Sequence, residues 1–327
     1  MHRCMLCGLF GFLGLFAASA LTATTTLAQN YPNRPVRLIV PFTPGGGVDI
    51  VARAIAQKMS EGLGQSIVID NRAGAGSSIG MELGARAAPD GYTILIASST
   101  LTINPALYKN LPFDAQRDFA PVSQTSVIPL LLVAAPGLPV SNVKEVMALA
   151  RDRRGGMTYA SSGIGVSVHL AMELLKHMTQ IEMIHVPYKN TAQKNVDLMS
   201  GQVALMFGAI PSVAAHVRAG QMKAIAVSSL KRSSVMPEIP TVAESGVPGF
   251  ELVSWNGVLG PAGMPTTAVS RLNSEIRKAL EHADVKTRLV QDGADPAPGT
   301  PAEFAALIKS ELAKYAKVVA AANIKAN

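Results

Sequence analysis

Three consecutive glycines, Gly45–Gly47, separate an apolar run from an amphipathic stretch and can bind an anion without a cationic side chain. The run Val36–Pro41 predicts a buried strand, which Pro41 and Pro44 end before the glycines. The stretch Val48–Leu63 predicts a helix. Glycine lets backbone N–H groups approach a ligand closely, and the free N–H groups and dipole of a helix start favour negative charge. This loop therefore predicts a site for a carboxylate or a phosphate.

Three further loops follow predicted strands and carry glycines or hydroxyl side chains, which offer hydrogen-bond donors without bulk. They are Asp70–Ser78, Ser98–Thr100 and Ser161–Ser167. Glycine and serine are also ordinary turn residues, so none of these loops indicates a site by itself. In an open α/β sheet, however, ligands bind at the carboxyl ends of strands, so several such loops in one chain favour a shared binding site.

Asp49 lies in the first turn of the helix that follows the three glycines, and two interpretations fit it equally. In the first, it interacts with the helix dipole, which stabilises a helix by about 0.3–1 kcal/mol. In the second, it accepts a hydrogen bond from an amine or hydroxyl of the ligand, or from a second lobe of the protein that faces this loop. The sequence leaves both open.

The glycines do not form a nucleotide-binding motif. After Gly74 and Gly76 the third glycine, Gly80, comes one residue later than the G-x-G-x-x-G pattern requires, and the sequence contains no Walker motif. The histidines show no zinc-binding spacing. We therefore expect neither a cofactor nor a metal.

The segment Gly165–His169 resembles a nucleophile elbow only superficially, because the elbow needs glycine where His169 stands. No pair of carboxylates stands out as a general acid and base. We therefore expect a binding protein rather than an enzyme. The alternative is an exported serine hydrolase, in which Ser162 or Ser167 is the nucleophile and His169 its base.

Residues 1–28 predict a secretory signal peptide. Arg3 precedes the apolar stretch Cys4–Leu21, and small residues lead to Ala28, after which we expect cleavage; the triplet Ala18–Ala20 is the alternative site. An uncleaved membrane anchor is the competing interpretation, because the stretch approaches the ~18 apolar residues that can span a bilayer. Both cysteines lie in this segment, so the mature chain has no disulfide. We expect a periplasmic protein.

The composition favours a folded chain that does not bind nucleic acid. Hydrophobic residues make up 48% of the 327 residues, which is enough to bury one or two cores. The formal net charge of +7 favours anionic ligands only weakly. The densest basic cluster, Arg151–Arg154, lacks the interleaved aromatic residues of a nucleic-acid surface, so we interpret it as a solvated helix end.

Strands and helices alternate along most of the chain, which predicts an α/β architecture with parallel sheets. The predicted strands are Val36–Pro41, Ser66–Asp70, Thr93–Ala97, Leu130–Ala134, Met157–Ala160, Glu182–Val186, Val203–Phe207 and Ala224–Val227. The predicted helices are Val48–Leu63, Ser77–Ala87, Asn142–Arg153, Val166–Met178, Thr191–Ser200, Ser212–Ala219, Thr267–His282, Val285–Asp292 and Pro301–Ala322.

Two long extended segments, Phe119–Pro136 and Phe250–Pro265, predict crossings between two lobes. The second segment holds the only tryptophan, Trp255. A chain that crosses out and back encloses a cleft, which gathers the carboxyl ends of strands from both lobes. We expect residues 29–128 and 253–327 in the first lobe and residues 129–252 in the second lobe.

Eight motifs, in order along the mature chain, resemble those of Bug-type extracytoplasmic solute receptors, the substrate-binding components of tripartite tricarboxylate transporters. The motifs are Tyr31–Arg37, Pro41–Arg53, Asn71–Gly76, Ala88–Thr93, Asn104–Tyr108, His185–Lys189, Glu238–Gly246 and Gly260–Pro265. They extend over essentially the whole mature chain, so the resemblance is specific.

The resemblance implies a two-lobed α/β fold of the type II periplasmic binding proteins, which closes over a small carboxylate. It places the ligand between the first-lobe loop Phe42–Asp49 and the second-lobe loop Ser162–Ser167, bound through backbone N–H groups and bridging waters. It also implies a receptor that delivers its ligand to the membrane subunits of a transporter or acts on a sensor. For a two-lobed receptor that closes, we expect a monomer. The predicted ligand contacts are Phe42, Thr43, Gly45, Gly46, Gly47, Asp49, Ala75, Gly76, Ser99, Ser162, Gly163, Gly165, Ser167, His169, Tyr188 and Ala209.

Two positions depart from the pattern of this family. Asn190 stands where members usually have glycine, and asparagine can adopt the left-handed conformation that glycine would supply. Ala204 stands where an aspartate is common. We expect Ala204 near the cleft, where the missing acid would change which distal group of the ligand is tolerated.

Overall fold

The computed structural model describes residues 31–152, 156–188 and 191–324, which form two β-sheets with helices packed against them. In chain order the strands are β1 (Val36–Val40), β2 (Ile67–Asn71), β3 (Thr93–Ser98), β4 (Phe119–Ile128), β5 (Leu130–Ala134), β6 (Met157–Ser161), β7 (Met183–Pro187), β8 (Leu205–Ala209), β9 (Lys223–Val227), β10 (Ser254–Pro261) and β11 (Asp295–Pro296). The helices are α1 (Gly47–Leu63), α2 (Ser78–Ala85), α3 (Thr100–Leu107), α4 (Val143–Asp152), α5 (Ser167–Thr179), α6 (Thr191–Met199), α7 (Ile210–Arg218), α8 (Thr266–Glu281), α9 (Ala283–Gln291) and α10 (Pro301–Ala321).

The first sheet has the strand order β11-β4-β10-β3-β1-β2. β1 pairs in parallel with β2 and with β3, as the alternation of strands and helices predicts. β10 instead pairs antiparallel with β3 and β4, so the expectation of purely parallel sheets is wrong. β10 enters this sheet from the other lobe, without the crossover helix that joins parallel neighbours, and it can therefore run in the opposite direction.

The second sheet has the strand order β7-β6-β8-β5-β9. β6 pairs in parallel with β7 and β8, whereas β5 pairs antiparallel with β8 and β9. β5 follows directly on β4 of the first sheet. The extended segment Phe119–Pro136 is thus two strands in different sheets, separated at Pro129, whose ring supplies no N–H group for pairing. The predicted α/β class is confirmed, with mixed sheets.

The parallel strands bring the glycine- and hydroxyl-rich loops to one edge of each sheet. At this edge of the first sheet, strands end at Val40, Asn71 and Ser98; at the corresponding edge of the second sheet, strands end at Ser161, Pro187 and Ala209. Each of these ends is followed by a helix, so the loops are short and both of their ends are fixed by regular structure.

Two chain segments connect the sheets and lie side by side. On the second-lobe side the buried Ser228 joins them, because its hydroxyl accepts a hydrogen bond from the Leu130 N–H (2.9 Å) and its carbonyl accepts one from the Leu252 N–H (3.1 Å). On the first-lobe side Ser254 in β10 pairs with Ile128 in β4. The two connections are therefore fixed to each other on both sides of the crossing point.

Helix α10 packs against both lobes. Phe304, near its start, belongs to a core cluster with Met81 and Trp255 of the first lobe. Tyr315 and Val318, near its end, join the core cluster around β5, β6 and β8. At about 1.5 Å per residue, its 21 residues span about 30 Å, which lets one helix reach both cores.

The predicted signal peptide, residues 1–28, lies outside the described part of the chain. Among the helices that are described, none combines the length and the apolar character needed to cross a membrane.

Candidate functional site

Asp49 fixes the loop between β1 and α1 from its buried side. The carboxylate is 1% exposed; one oxygen accepts hydrogen bonds from the Gly45 N–H (2.9 Å) and Arg53 Nε (2.8 Å), and the other accepts one from Asn71 Nδ2 (2.8 Å). Asn71 Nδ2 also donates to the Phe42 carbonyl (3.0 Å). Burial raises the pKa of Asp49, but the bonds from Arg53, Asn71 and Gly45 lower it further, so the net direction is down. In this structure Asp49 bonds to its own lobe.

The three glycines leave open space on the other side of this loop. Gly45 has a φ of +79°, which strongly favours glycine, and no side chain caps the start of α1 at Gly46. A Cβ atom added at Gly45 or Gly47 would meet no heavy atom within 4 Å. Thr43 is exposed, and Phe42 is half-buried beside the loop. The first N–H groups of α1, which have no partners within the helix, therefore face a space that a ligand could occupy.

The turn between β2 and α2 contains three consecutive residues in the left-handed region. Ala75, Gly76 and Ser77 have φ values of 45°, 61° and 77°. Asn104 Nδ2 donates to the Gly76 carbonyl (3.0 Å), and the Ser77 hydroxyl lies 2.9 Å from that of Thr100. Left-handed non-glycine residues cost about 1–3 kcal/mol each and concentrate at functional sites. The predicted contacts Ala75 and Gly76 are both exposed.

Ser99 does not face solvent but is buried and bonded to a neighbouring strand of the first lobe. It is 2% exposed, its hydroxyl lies 3.0 Å from that of Ser254, and its N–H donates to the Trp255 carbonyl (3.1 Å). This predicted contact is therefore bonded to β10, next to the point where the chain crosses between the lobes.

In the second lobe, stacked aromatic rings hold the loop that follows β6. The rings of His169 and His185 stack at 4.0 Å, and Tyr159 stacks on His185 at 4.8 Å. The Gly165 N–H donates to His169 Nδ1 (3.0 Å). Ser161 donates its hydroxyl proton to the Gly163 carbonyl (2.8 Å), and His185 Nε2 lies 2.6 Å from the same hydroxyl. Since that hydroxyl has one proton, we assign His185 Nε2 as the donor to Ser161 and place the His169 proton on Nε2.

Both histidines favour the neutral form. Burial, and then the nearby His185, lower the pKa of His169 to about 4, and burial lowers the pKa of His185. Because His169 Nδ1 already accepts the Gly165 N–H, it has no free lone pair to serve as a base. Among the described residues no hydrogen bond joins His169 to Ser162 or Ser167. The pairing that the hydrolase alternative requires is therefore not seen among these residues, and the histidine that contacts a serine hydroxyl is instead His185, at the buried Ser161.

Ser162 has a different partner, which the sequence does not indicate. Lys194 Nζ donates to the Ser162 hydroxyl at 2.9 Å, and the lysine side chain is only 2% exposed. Burial lowers the pKa of Lys194. A lysine in a mostly polar helix gives no sequence signal of burial, because lysine normally lies on the solvent face.

Tyr188 and Ala209 lie at the same edge of the second sheet. Tyr188 donates its hydroxyl proton to Asp197 (2.6 Å) and its N–H to the Ser161 carbonyl (2.9 Å). Burial, and then Asp197, raise the pKa of Tyr188 to about 12. Ala209 ends β8 and precedes α7.

Ala204 does not lie near this edge, so our expectation for it is wrong. It is buried just before β8, at the opposite end of that strand from Ala209. Five residues of strand separate the two ends by about 17 Å. Ala204 instead lines a cavity of 560 Å³ together with Thr158 and Gly201. Asn190 lies outside the described residues.

The loop that follows β6 also contacts the first lobe. The second-lobe loop reaches Leu107 at the end of α3 in the first lobe, so closely that a Cβ atom at Gly165 would lie 2.6 Å from Leu107 Cδ1. The structure thus places the predicted contacts in two groups, one at the edge of each sheet. One comprises Phe42, Thr43, Gly45, Gly46, Gly47, Asp49, Ala75, Gly76 and Ser99; the other comprises Ser162, Gly163, Gly165, Ser167, His169, Tyr188 and Ala209.

Comparison of the sequence with known families finds a match over residues 51–324 to the tripartite tricarboxylate transporter family receptor. Protein BugT of Bordetella pertussis is 36% identical over 313 residues, which cover 95% of this chain and 96% of that protein. A UPF0065 protein of a Pseudomonas species, encoded in the tcbD-tcbE intergenic region, is 40% identical over 314 residues, which cover 95% of this chain and 94% of that protein.

Solved structures give the same result. R. palustris Rpa4515 with adipate is 37% identical, covers 90% of this chain and 99% of its own, and superimposes with a TM-score of 0.73. MatC (Rpa3494) from Rhodopseudomonas palustris with bound malate is 32% identical, covers 88% of this chain and 100% of its own, and has a TM-score of 0.69. This chain is therefore similar to both proteins over most of its length.

Proposed function

Because this chain belongs to the tripartite tricarboxylate transporter receptor family, we propose that it is a periplasmic receptor that closes its two lobes over a small carboxylate and presents it to the membrane subunits of a transporter. The predicted resemblance to Bug-type receptors and the type II binding fold are confirmed. Family members are substrate-binding receptors. Of the two similar structures, Rpa4515 is with adipate and MatC has bound malate, and both molecules are carboxylates.

The observation that supports this function most strongly is the open start of α1. It carries no side-chain cap and has open space at Gly45 and Gly47, while the second-lobe loop contacts the first lobe at Leu107, the end of α3. We propose that the carboxylate lies between the loops Phe42–Asp49 and Ser162–Ser167. Hydrogen bonds to a charged group contribute about 1.5–3 kcal/mol each. A few such bonds supply the binding free energy of ~8 kcal/mol that micromolar affinity requires, after the free-energy cost of lobe closure is subtracted.

We also propose that the two connections at Pro129 and at Leu252 act as the hinge, with residues 29–128 and 253–327 forming one lobe and residues 129–252 the other. The hydrogen bonds of Ser228 support this, because they hold the two connections together while each lobe keeps its own sheet. Helix α10 belongs to the first lobe by sequence, yet its end packs on the second.

Thermal unfolding of residues 29–327 with a panel of small carboxylates tests the function. A ligand at about 100 times its dissociation constant adds about 2.7 kcal/mol, which raises the unfolding midpoint by several degrees. We expect the shift with selected acids only. Absence of a shift with every acid, in protein shown to be free of co-purified ligand, would contradict the proposal.

A matched pair of variants tests the position of the site. Gly47→Leu and Gly137→Leu both place a side chain where a Cβ meets no atom within 4 Å, so both should fold. Gly47 lies at the start of α1, whereas Gly137 lies beside the 560 Å³ cavity at the far end of the second sheet. We expect Gly47→Leu to abolish the carboxylate-induced shift and Gly137→Leu to keep it. Equal shifts in both variants would place the ligand elsewhere.

A further inference from the structure

We propose that Lys194 and Ser162 bind a second anionic group of the ligand, so that the receptor selects dicarboxylates over monocarboxylates of the same length. This inference rests on the proposed receptor function and extends it to the class of ligand. The observation that carries it is a buried ammonium group with no carboxylate partner, bonded to an exposed serine at the edge that faces the first lobe.

Helix α6 turns its lysine inward. Lys194 is 2% exposed and Asn195 is 7% exposed, whereas the apolar Val196 is 50% exposed. This is the reverse of an ordinary amphipathic helix, in which apolar residues face the core. Burying an ammonium group costs free energy unless an opposite charge and hydrogen bonds compensate it. The burial of Lys194 therefore needs a compensating group.

No aspartate or glutamate of the chain supplies that compensation. All 22 aspartates and glutamates lie in the described residues, and none of them is within 4.0 Å of the Lys194 ammonium. Two partly buried lysines do have such partners: Lys176 pairs with Glu173 (2.9 Å), and Lys314 pairs with Glu311 (2.5 Å). Among the described residues, Lys194 Nζ has three protons and a single acceptor, the hydroxyl of Ser162.

The bond to Lys194 fixes what Ser162 can offer. An ammonium group can only donate, so the Ser162 oxygen accepts from Lys194 and keeps its own proton for another acceptor. Ser162 is exposed and directly follows Ser161, the last residue of β6, at the edge that faces the first lobe. The site therefore presents a hydroxyl proton with a positive charge behind it, which suits a carboxylate oxygen.

A ligand with two carboxylates would satisfy both lobes. The first-lobe loop offers backbone N–H groups and a helix start, and the second-lobe loop offers Ser162 supported by Lys194. A monocarboxylate bound by the first lobe would leave Lys194 without an opposite charge. The adipate and malate of the two similar structures are both dicarboxylates; in this chain, Lys194 and Ser162 point to the same class of ligand.

Titration calorimetry of residues 29–327 with matched acids tests the inference. The pairs are succinate and butyrate, glutarate and valerate, and adipate and hexanoate. We expect wild-type protein to bind at least one dicarboxylate about 10- to 100-fold more tightly than its monocarboxylate partner. In Lys194→Met that preference should disappear through loss of dicarboxylate affinity, while monocarboxylate affinity changes less than about threefold. Ser162→Ala should weaken the dicarboxylate in the same direction.

Two controls keep the result interpretable. Lys223→Met removes a lysine that donates to the Leu138 carbonyl at the far end of the second sheet, and it should keep the wild-type preference. Without ligand, Lys194→Met should unfold at a higher temperature than wild type, because it removes a buried charge without a partner. A lower midpoint would show that the ammonium is compensated within the protein and would overturn the inference.

The remaining outcomes separate the inference from the function on which it rests. Dicarboxylate affinity that is unchanged in Lys194→Met would overturn the role of Lys194 and leave the receptor function standing. Absence of binding by every acid to wild type would overturn the receptor function itself. Hydrolysis of p-nitrophenyl acetate by wild type that is lost in both Lys194→Met and Ser162→Ala would identify a Ser–Lys catalytic pair and overturn both.

Discussion

Asp49 shows, at the scale of one residue, how a loop rich in glycine keeps its shape. Glycines give the β1–α1 loop its open face but cannot restrict it, so a buried carboxylate supplies the restriction through Gly45, Arg53 and Asn71. The rigidity of this binding loop therefore comes from a residue that points away from the ligand space.

We predict that Asp49→Asn lowers the free energy of unfolding by about 2–3 kcal/mol. One Asp49 oxygen faces two donors and the other faces a third, so either orientation of the new amide sets an NH2 group against an N–H group. Urea unfolding measures the change. Glu82→Gln is the control: its partner Arg86 is 71% exposed, so we expect a loss below about 0.5 kcal/mol. Equal losses in the two variants would contradict the role of Asp49.

Sequence patterns predict a residue with an unusual backbone conformation better than they predict the burial of a charged side chain. Gly45 could be singled out because the proline–glycine pattern implies a turn, and its φ of +79° agrees. Lys194 could not, because its burial depends on how α6 packs beside the β6 loop. His169 was singled out as a ligand contact, yet its ring also positions Gly165, a relation between helix and loop that no spacing rule encodes.

At the scale of elements, helix α10 packs closely on strand β10 because a glycine of the strand has no side chain there. Gly257 lies at an irregularity in the pairing of β10 with β4, and Phe304 of α10 fills the space above it. Phe304 is 1% exposed and packs edge-on against Trp255 at 5.3 Å. Glycine at 257 therefore determines how closely the last helix approaches the first sheet.

We predict that Gly257→Ala lowers the free energy of unfolding by about 1–3 kcal/mol, because the new methyl group overlaps a ring that has no room to move. The Cβ atom would lie 2.2 Å from Phe304 Cζ. Gly299→Ala is the matched control, since its Cβ would lie 3.8 Å from the nearest atom, an ordinary contact. Guanidinium unfolding compares the two. A loss in Gly299→Ala as large as that in Gly257→Ala would refute the packing argument.

Elements with strong local sequence patterns could be predicted. The direction of strands that connect the two lobes could not. β5 has the predicted bounds, Leu130–Ala134, and α1 begins one residue before its predicted start. Helix α3 was not predicted because Pro105 lies inside it, and proline removes a helical hydrogen bond. The antiparallel strands β4 and β10 appeared only as extended segments, because their direction depends on where the chain returns.

At the scale of the whole molecule, the neutral His169 makes stability depend on pH. Its pKa is about 4 in the folded protein and about 6.5 in an unfolded chain. As pH falls below 6.5 the unfolded chain binds a proton that the folded protein does not bind until pH 4. The free energy of unfolding should therefore decrease over this window, by about 3 kcal/mol for this group. The groups around it are His185, Tyr159, Glu173 and Lys176.

Urea unfolding at several pH values between 7 and 4 checks this dependence. We expect a shallower slope in His169→Gln, although not a flat one, because burial also lowers the pKa of His185. His216→Gln changes a histidine that bonds to Gln221 at the surface and should keep the wild-type slope. A His169→Gln slope as steep as that of wild type would show that another group causes the loss.

The division of the chain into lobes stays a prediction at this scale. The sequence predicts two crossings, and the two sheets are consistent with them. The sequence pattern could not reveal that α10 joins both cores, since amphipathic spacing shows that a helix is buried but not against which partner. That helix limits how far the lobes can separate without breaking its packing.

Trp255 gives the molecule an optical probe of its own. It is the only tryptophan, its side chain is fully buried, and it follows Ser254, the residue that pairs with Ile128 where the chain crosses between the lobes. Indole emission depends on the packing and polarity around the ring, so bending of these connections would change its intensity or colour. Stopped-flow fluorescence could therefore time lobe closure on mixing with a carboxylate, without any attached dye.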